Sequence, residues 1–353
     1  MSAPSLTSFS AYPIVQAPMA GGASNPRLAT AVAAAGGLGF LAAGYKTPEA
    51  MYEEIRQLRD QSTHPFGVNL FMPQPRATDP SAVAVYAEQL AGEEAWYGTP
   101  LGDPDAGSDD AYEAKVAILL EDPVPMVSFT FGCPSQKVLE AFRKAGTYTV
   151  VTATSVPEAL AAQWAGADAV CVQGVEAGGH QGTHRDDPQL DNAGSGLLAL
   201  LPQVREQVQL PLVAAGGLMR GGQIAAVLAA GADAAQLGTA FVVCPESGAD
   251  PLHKRALTDP VFTRTELTRA FSGRPARTLV NRFVREHGPY APPGYPQIHH
   301  LTAPLRKAAA AGGDPQGMAL WAGQGHRLAR EVSAGHLMEL LIEELHAARE
   351  VGG

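Results

Sequence analysis

Charge and cysteine are what this sequence has least of. Only 17% of its 353 residues are Asp, Glu, Lys or Arg, against 46% apolar. That balance supports a large buried core and lies outside the disordered range. Basic residues are the scarcer sign: 25 Lys and Arg against 35 Asp and Glu give a formal charge of −10, which argues against a nucleic-acid partner. The three cysteines, Cys133, Cys171 and Cys244, are too widely spaced for a disulfide framework or a local CxxC metal site, and they suit a reducing, cytoplasmic compartment. The opening MSAPSLTSFS has no basic stretch leading into an apolar one, so no secretory signal is expected. The longest uncharged run, Leu28 to Gly44, is divided by Gly36, Gly37 and Gly39; it is short for a membrane span and reads as helix, turn and buried strand. Walker, HExxH and GxSxG sequences are missing as well, which removes the usual warrants for P-loop, zincin and α/β-hydrolase chemistry.

What is present is a rhythm. Short, continuously apolar runs predict strands at Pro13–Met19, Leu38–Ala43, Phe66–Phe71, Met126–Phe131, Tyr148–Ala153, Ala169–Gln173, Pro211–Ala215 and Ala234–Ala240. Strands buried on both faces of a parallel sheet read this way. Helix-forming stretches lie between them, so eight strands in β-then-α order predict an α/β fold of the (β/α)8 TIM-barrel type. AGADA occurs at Ala165–Ala169 and again at Ala230–Ala234, each glycine closing a helix just before a strand. Two regions break the rhythm. Thr99–Asp110, with Asp103, Asp105, Asp109 and Asp110, reads as a solvated loop. Cys244 to about Ala319 is poor in strand signals and reads as a smaller, mainly helical lid, giving a barrel of residues 1–243 and 320–353 and a lid of 244–319. Leu337, Met338, Leu341, Ile342 and Leu345 then repeat at helical spacing, as a closing outer helix requires.

In such a barrel, chemistry gathers where strands end. Glycines at the ends of the sixth and seventh long runs, Gly178, Gly179, Gly216 and Gly217, let backbone approach a ligand. Gly216, Gly217, Gly238 and Thr239 fall in the loops after strands seven and eight, where such barrels bind phosphate. Gly37-Leu-Gly39 matches a loose dinucleotide fingerprint but follows a helix and enters a strand, the wrong phase for holding pyrophosphate. A phosphate anchor without a dinucleotide motif points to a mononucleotide or a sugar phosphate. Of the ten histidines, His180 alone sits at a strand end among glycines, where an imidazole can exchange a proton. His184, four residues on, is not read as its metal partner, because Gln-Gly-Thr between them resists a helix.

Taken in order, QAPMAGG, LATAVAAAGGLGFLAAG, FGVNLF, VSFTFGCP, VEAGGHQGTH, PLVAAGGLMRGG, QLGTAFVVCPES, SGRPARTLVNRF and LWAGQG resemble the motifs of nitronate monooxygenases, formerly called 2-nitropropane dioxygenases. The resemblance implies an FMN-containing barrel that oxidises alkyl nitronates such as propionate 3-nitronate with O2, giving a carbonyl compound and nitrite. Matched by motif, Asn69, Gln173, Gly178, Gly179, Gly216, Gly217, Gln236, Leu237, Gly238 and Thr239 would hold FMN. Gln16, Pro18 and Met19 would lie under it, and His180 would be catalytic. Tyr295, Arg306 and Lys307 are candidate substrate donors from the lid. Ala177 and Cys133 depart from the usual pattern, with consequences for substrate shape. The implied partners are a small nitronate and O2, and a homodimer is allowed; no metal site is expected. The rival readings are an enoyl-acyl-carrier-protein reductase using flavin and NAD(P)H, a non-catalytic flavin or phosphate sensor, and a phosphate-binding isomerase barrel.

Overall fold

The computed structural model describes residues 6–74, 79–107, 110–190 and 194–351. The first five residues and Asp109, both used in the sequence reading, lie outside the described residues.

The chain begins with β1 (Ile14–Gln16), α1 (Pro26–Ala34), β2 (Gly39–Ala42), α2 (Pro48–Gln61) and β3 (Phe66–Phe71). Three helices, α3 (Pro80–Gln89), α4 (Ala91–Tyr97) and α5 (Tyr112–Glu121), precede β4 (Met126–Thr130). Then come α6 (Gln136–Lys144), β5 (Tyr148–Ala153), α7 (Val156–Ala165), β6 (Ala169–Gln173) and a two-residue strand β7 (Gly179–His180). They are followed by α8 (Leu197–Gln207), β8 (Leu212–Ala215), α9 (Gly221–Ala229), β9 (Ala234–Leu237) and the one-turn α10 (Thr239–Val242). The cap carries α11 (Pro251–Thr258), β10 (Thr265–Thr268), β11 (Ala276–Leu279), α12 (Arg282–His287) and α13 (Gln297–Ala311), and α14 (Ala334–Val351) ends the described chain.

Local chemistry sets these boundaries. Asn25, Thr47, Ser135 and Ser155 each accept a first-turn amide at the start of α1, α2, α6 and α7. Gly166 and Gly231, the two AGADA glycines, adopt φ of +91° and +104°, the left-handed conformation that ends a helix. Eight strands then pair in the order β1-β9-β8-β6-β5-β4-β3-β2, every neighbour parallel. A parallel bridge from Val15 to Leu38 joins the two ends, so the sheet closes into a (β/α)8 barrel. The outer helix α14 packs on α1 and α9.

Strand alternation divides the core. Ile14, Val68, Leu70, Val170, Val172 and Leu212 face outward into the layer shared with the helices, whereas Val15, Leu38, Phe40, Met126, Val150, Cys171 and Val213 cluster inside the barrel. Several strands stop short of their apolar runs: β1 ends at Gln16 and β9 at Leu237, because the residues beyond leave the sheet to form loops around a cavity.

The cap differs from expectation in two ways. It contains an antiparallel hairpin, Thr265 opposite Leu279, whose inner strand also pairs Ala276 with His180. The strand carrying His180 is therefore hydrogen-bonded to the cap. Its core, including Phe271, Phe283, Ile298, Leu301 and Leu305, also takes in Val83, Tyr86 and Leu90 of the α3 segment. The Tyr86 hydroxyl donates to the Ala270 carbonyl at 2.8 Å. The capping unit thus crosses the 244–319 boundary, a long-range pairing that composition does not reveal. Among the described residues no helix is long and apolar enough to cross a membrane.

Candidate active site

A cavity of about 390 Å³ opens at the carboxyl end of the barrel, beneath the cap. One side is made of backbone. Gly216 and Gly217, after β8, turn with φ of +129° and +69°, conformations nearly closed to other residues. A Cβ at Gly217 would stand 3.1 Å from that of Glu176, and one at Gly178 would meet the Gly323 amide nitrogen at 2.5 Å. Glycine is therefore required for these chains to approach one another. Gly238 and Thr239 complete this side, with the Thr239 hydroxyl accepting the Gly323 N–H at 2.9 Å.

The floor is a polar ring at the strand ends, formed by Asn69, Ser128, Thr130, Thr152, Gln173 and Gln236. Asn69 donates to Ser128 and Thr130 at 2.9 and 3.0 Å. Gln173 accepts the Gly182 amide at 2.7 Å and donates to the His180 carbonyl at 3.3 Å, which links the floor to the histidine's backbone.

The adjoining part of the wall is made of side chains. Phe131, Tyr295 and Trp321 surround the His180 ring at centroid distances of 5.6, 5.7 and 5.3 Å. Ser272, from the cap, meets His180 Nε2 at 2.8 Å and fixes the ring's rotation. The imidazole reaches the cavity yet is enclosed by protein. Burial first, then the nearby Arg274 and Arg306 charges, push its pKa down to about 3. His180 is consequently neutral at physiological pH. Arg274 stacks 4.3 Å over Phe131 and donates to Gln74 and Thr183. Arg306 lines the cavity; its Nη2 donates to the His299 carbonyl at 2.8 Å, and its Nε has no hydrogen-bond partner among the described residues. Burial lowers Arg306 to about 10, which leaves it cationic at neutral pH.

Most residues singled out in the sequence meet here. Pro18, Met19, Asn69, Gln173, Gly178, Gly179, His180, Gly216, Gly217, Gln236, Gly238 and Thr239 all line the cavity. Gln16 and Leu237 do not. Both have the wrong strand parity: Gln16 accepts the Phe40 amide and donates to Ser24, bracing β1 against β2, and Leu237 packs in the outer core. Lys307 is exposed and outside the cavity wall, one residue beyond Arg306 on α13. Tyr295 is not on the cavity wall either; its ring packs against Phe131 and His180 from behind, and its hydroxyl lies 3.4 Å from that of Tyr45. Cys133 turns its thiol toward the Ala161 carbonyl, outside the cavity wall, so its departure from the motif does not shape the cavity. Cys244 is fully buried with its thiol pushed up to about 12, mainly by burial, and is an inert packing residue. His184 bonds the Thr152 carbonyl at 2.8 Å, and Asp110 pairs with Lys115 and the Tyr45 amide. These are structural ties.

The model of the nitronate monooxygenase family matches residues 3–344. The chain belongs to the nitronate monooxygenase family. A family member from Pseudomonas aeruginosa, named nitronate monooxygenase, is 42% identical over 342 residues, covering 94% of this chain and 96% of that one. A solved structure described as nitroalkane oxidase from Streptomyces ansochromogenes is 68% identical with a TM-score of 0.97, covering 99% of both chains. FabK from Thermotoga maritima is more distant, at 27% identity and a TM-score of 0.76 over 98% of this chain and 97% of that one. As a nitronate monooxygenase family member, the protein is a flavin-dependent oxidoreductase. The cavity suits such a group: positive-φ glycines bring amides to one side, and polar side chains ring the floor. Ser128, Thr130, Thr152, Ser272 and Trp321 went unnoticed in the sequence. The first three carried a usable signal, since they are the in-facing members of their strands.

Proposed function

We propose that the protein binds FMN and oxidises alkyl nitronates with O2 to a carbonyl compound and nitrite. The atoms balance when two nitronates and one O2 give two carbonyls and two nitrites. The observation that carries this reading is a single cavity that brings together His180, the Arg306 cation and a glycine-built anchor. Gly216, Gly217, Gly238 and Thr239 would meet the phosphate, and Asn69, Gln173 and Gln236 the ring system; the absence of a strand-to-helix dinucleotide fingerprint favours FMN over FAD. Flavin, when bound, supplies the acceptor for electrons from the electron-rich nitronate.

The chain's own residues do the rest. Arg306, desolvated and with no partner at Nε among the described residues, attracts an anionic nitronate more strongly than it would in water. Phe131 and Trp321 on the cavity wall, backed by Tyr295, exclude water around the reacting carbon. His180 reaches the cavity beside Arg306 and is placed to accept the α-proton of a neutral nitroalkane, while Arg306 holds the resulting charge. The FabK likeness keeps an NAD(P)H-dependent reductase as the second reading.

One assay separates them. Purified protein should be yellow, denaturation should release FMN, and nitrite should form from propionate 3-nitronate without NADH. Release of FAD, or nitronate left intact while an enoyl thioester consumes NADH, would overturn the proposal.

A further inference from the structure

The cavity does not stop at the polar floor. Its wall continues down the barrel axis along Val15, Leu38, Met126, Val150, Cys171 and Val213. These are buried side chains from five strands and from Leu38, just before β2, and none is charged. Barrels of this type normally fill that space with layers of bulky branched residues. Here several in-facing positions are small, namely Ala169, Cys171 and Ala234. A second cavity of about 340 Å³ lies at the amino end of the barrel and shares Leu6, Val15 and Leu38 with the first. Those three residues thus line both spaces. Beyond them, Asp233 and Arg349 stand on the outer cavity's wall.

We infer that the lower barrel is a dioxygen-binding chamber, supplied past Leu6, Val15 and Leu38 and opening upward into the reaction cavity. Apolar internal space of this kind stays dry and takes up apolar guests, xenon among them. Dioxygen needs no hydrogen bonds and suits such walls. A nitronate anion does not, because an unpaired charge there would carry a large desolvation penalty. The two reactants therefore approach from opposite ends, the anion past Arg306 beneath the cap and the gas from the amino end of the barrel. The physiological importance of the chamber rests on the proposed O2-dependent oxidation, but its gas occupancy can be measured independently.

Two experiments test the chamber. Crystals of the flavin-loaded protein under xenon pressure should show xenon between Leu6 and Cys171; a barrel interior without xenon would overturn the inference. In solution, bound flavin would be reduced with dithionite and its reoxidation by O2 followed in wild type, Val150→Phe and the milder Val213→Leu. These substitutions fill the chamber without touching His180 or the glycine anchor. Reoxidation should slow about tenfold in Val150→Phe and less in Val213→Leu, with flavin content unchanged. Wild-type reoxidation in folded, flavin-loaded variants would contradict a gas route through the barrel. Because neither readout uses a nitronate, failure of the oxidation proposal would appear separately, as no anaerobic bleaching of wild-type flavin by nitronate.

Discussion

The two sides of the cavity are built from different material. On one, Gly178, Gly216, Gly217 and Gly238 withdraw their side chains so that backbone forms the wall. On the other, His180, Phe131, Arg306 and Trp321 crowd side chains together from the barrel and its cap, with Tyr295 packed behind them. A backbone wall can recognise a fixed group such as phosphate and needs little adjustment. A side-chain wall can set charge, proton affinity and dryness. The first suits holding a cofactor, the second chemistry, and substitutions should divide along the same line.

The largest effect should come from the backbone side. Gly217→Asp puts a carboxylate beside Glu176 at a φ of +69°, where amides would otherwise face the phosphate. Flavin retention should fall to near zero; full flavin absorbance in the folded variant would remove Gly217 from the anchor. Next, His180→Asn should keep its flavin and lose about 10²–10⁴ in rate on neutral nitroalkanes, the usual range for a positioned acid–base group. Preformed nitronates should be affected much less, since they have already lost that proton. Equal losses on both substrate forms would show that the imidazole binds charge and does not remove a proton. Arg306→Met keeps the packing stem and deletes the charge, so KM for anionic nitronates should rise about tenfold, equivalent to about 1.4 kcal/mol. An unchanged KM would take Arg306 out of anion binding.

The smallest effect concerns stability. His180 is held near a pKa of 3, below the unfolded value of about 6.5. Between those values the unfolded chain binds a proton that the folded chain refuses. The resulting stability is complete above about pH 6.5 and is lost progressively as pH falls toward 3. His253 and His299 are lowered too, chiefly by burial. Tm should thus drop between pH 7 and pH 5, and by less in His180→Asn. An identical drop in the variant would mean that His180 titrates normally in the folded state.

The same division explains what was legible in the sequence. The barrel could be read because each strand is a local apolar run and each turn announces itself in glycine. The backbone side of the cavity was readable for the same reason. The side-chain wall was only partly so: His180 stood out by its glycine context, but Ser272, Arg274 and Trp321 join it across long stretches of chain. The cap hairpin was missed because its strands are four residues each and carry Arg, Glu and Thr. Gln16 and Leu237 were named by motif match alone, and strand alternation turns their side chains away from the cavity that Val15 and Gln236 line.

The account turns on the charge of His180. Histidine labelled with ¹³C at Cε1, in flavin-loaded wild type with His180→Asn to assign the signal, allows its titration to be followed by NMR. The chemical shift should stay that of a neutral imidazole from pH 8 down to about 5; an inflection near the ordinary value of about 6.5 would contradict the enclosed, neutral base on which the proposed chemistry depends.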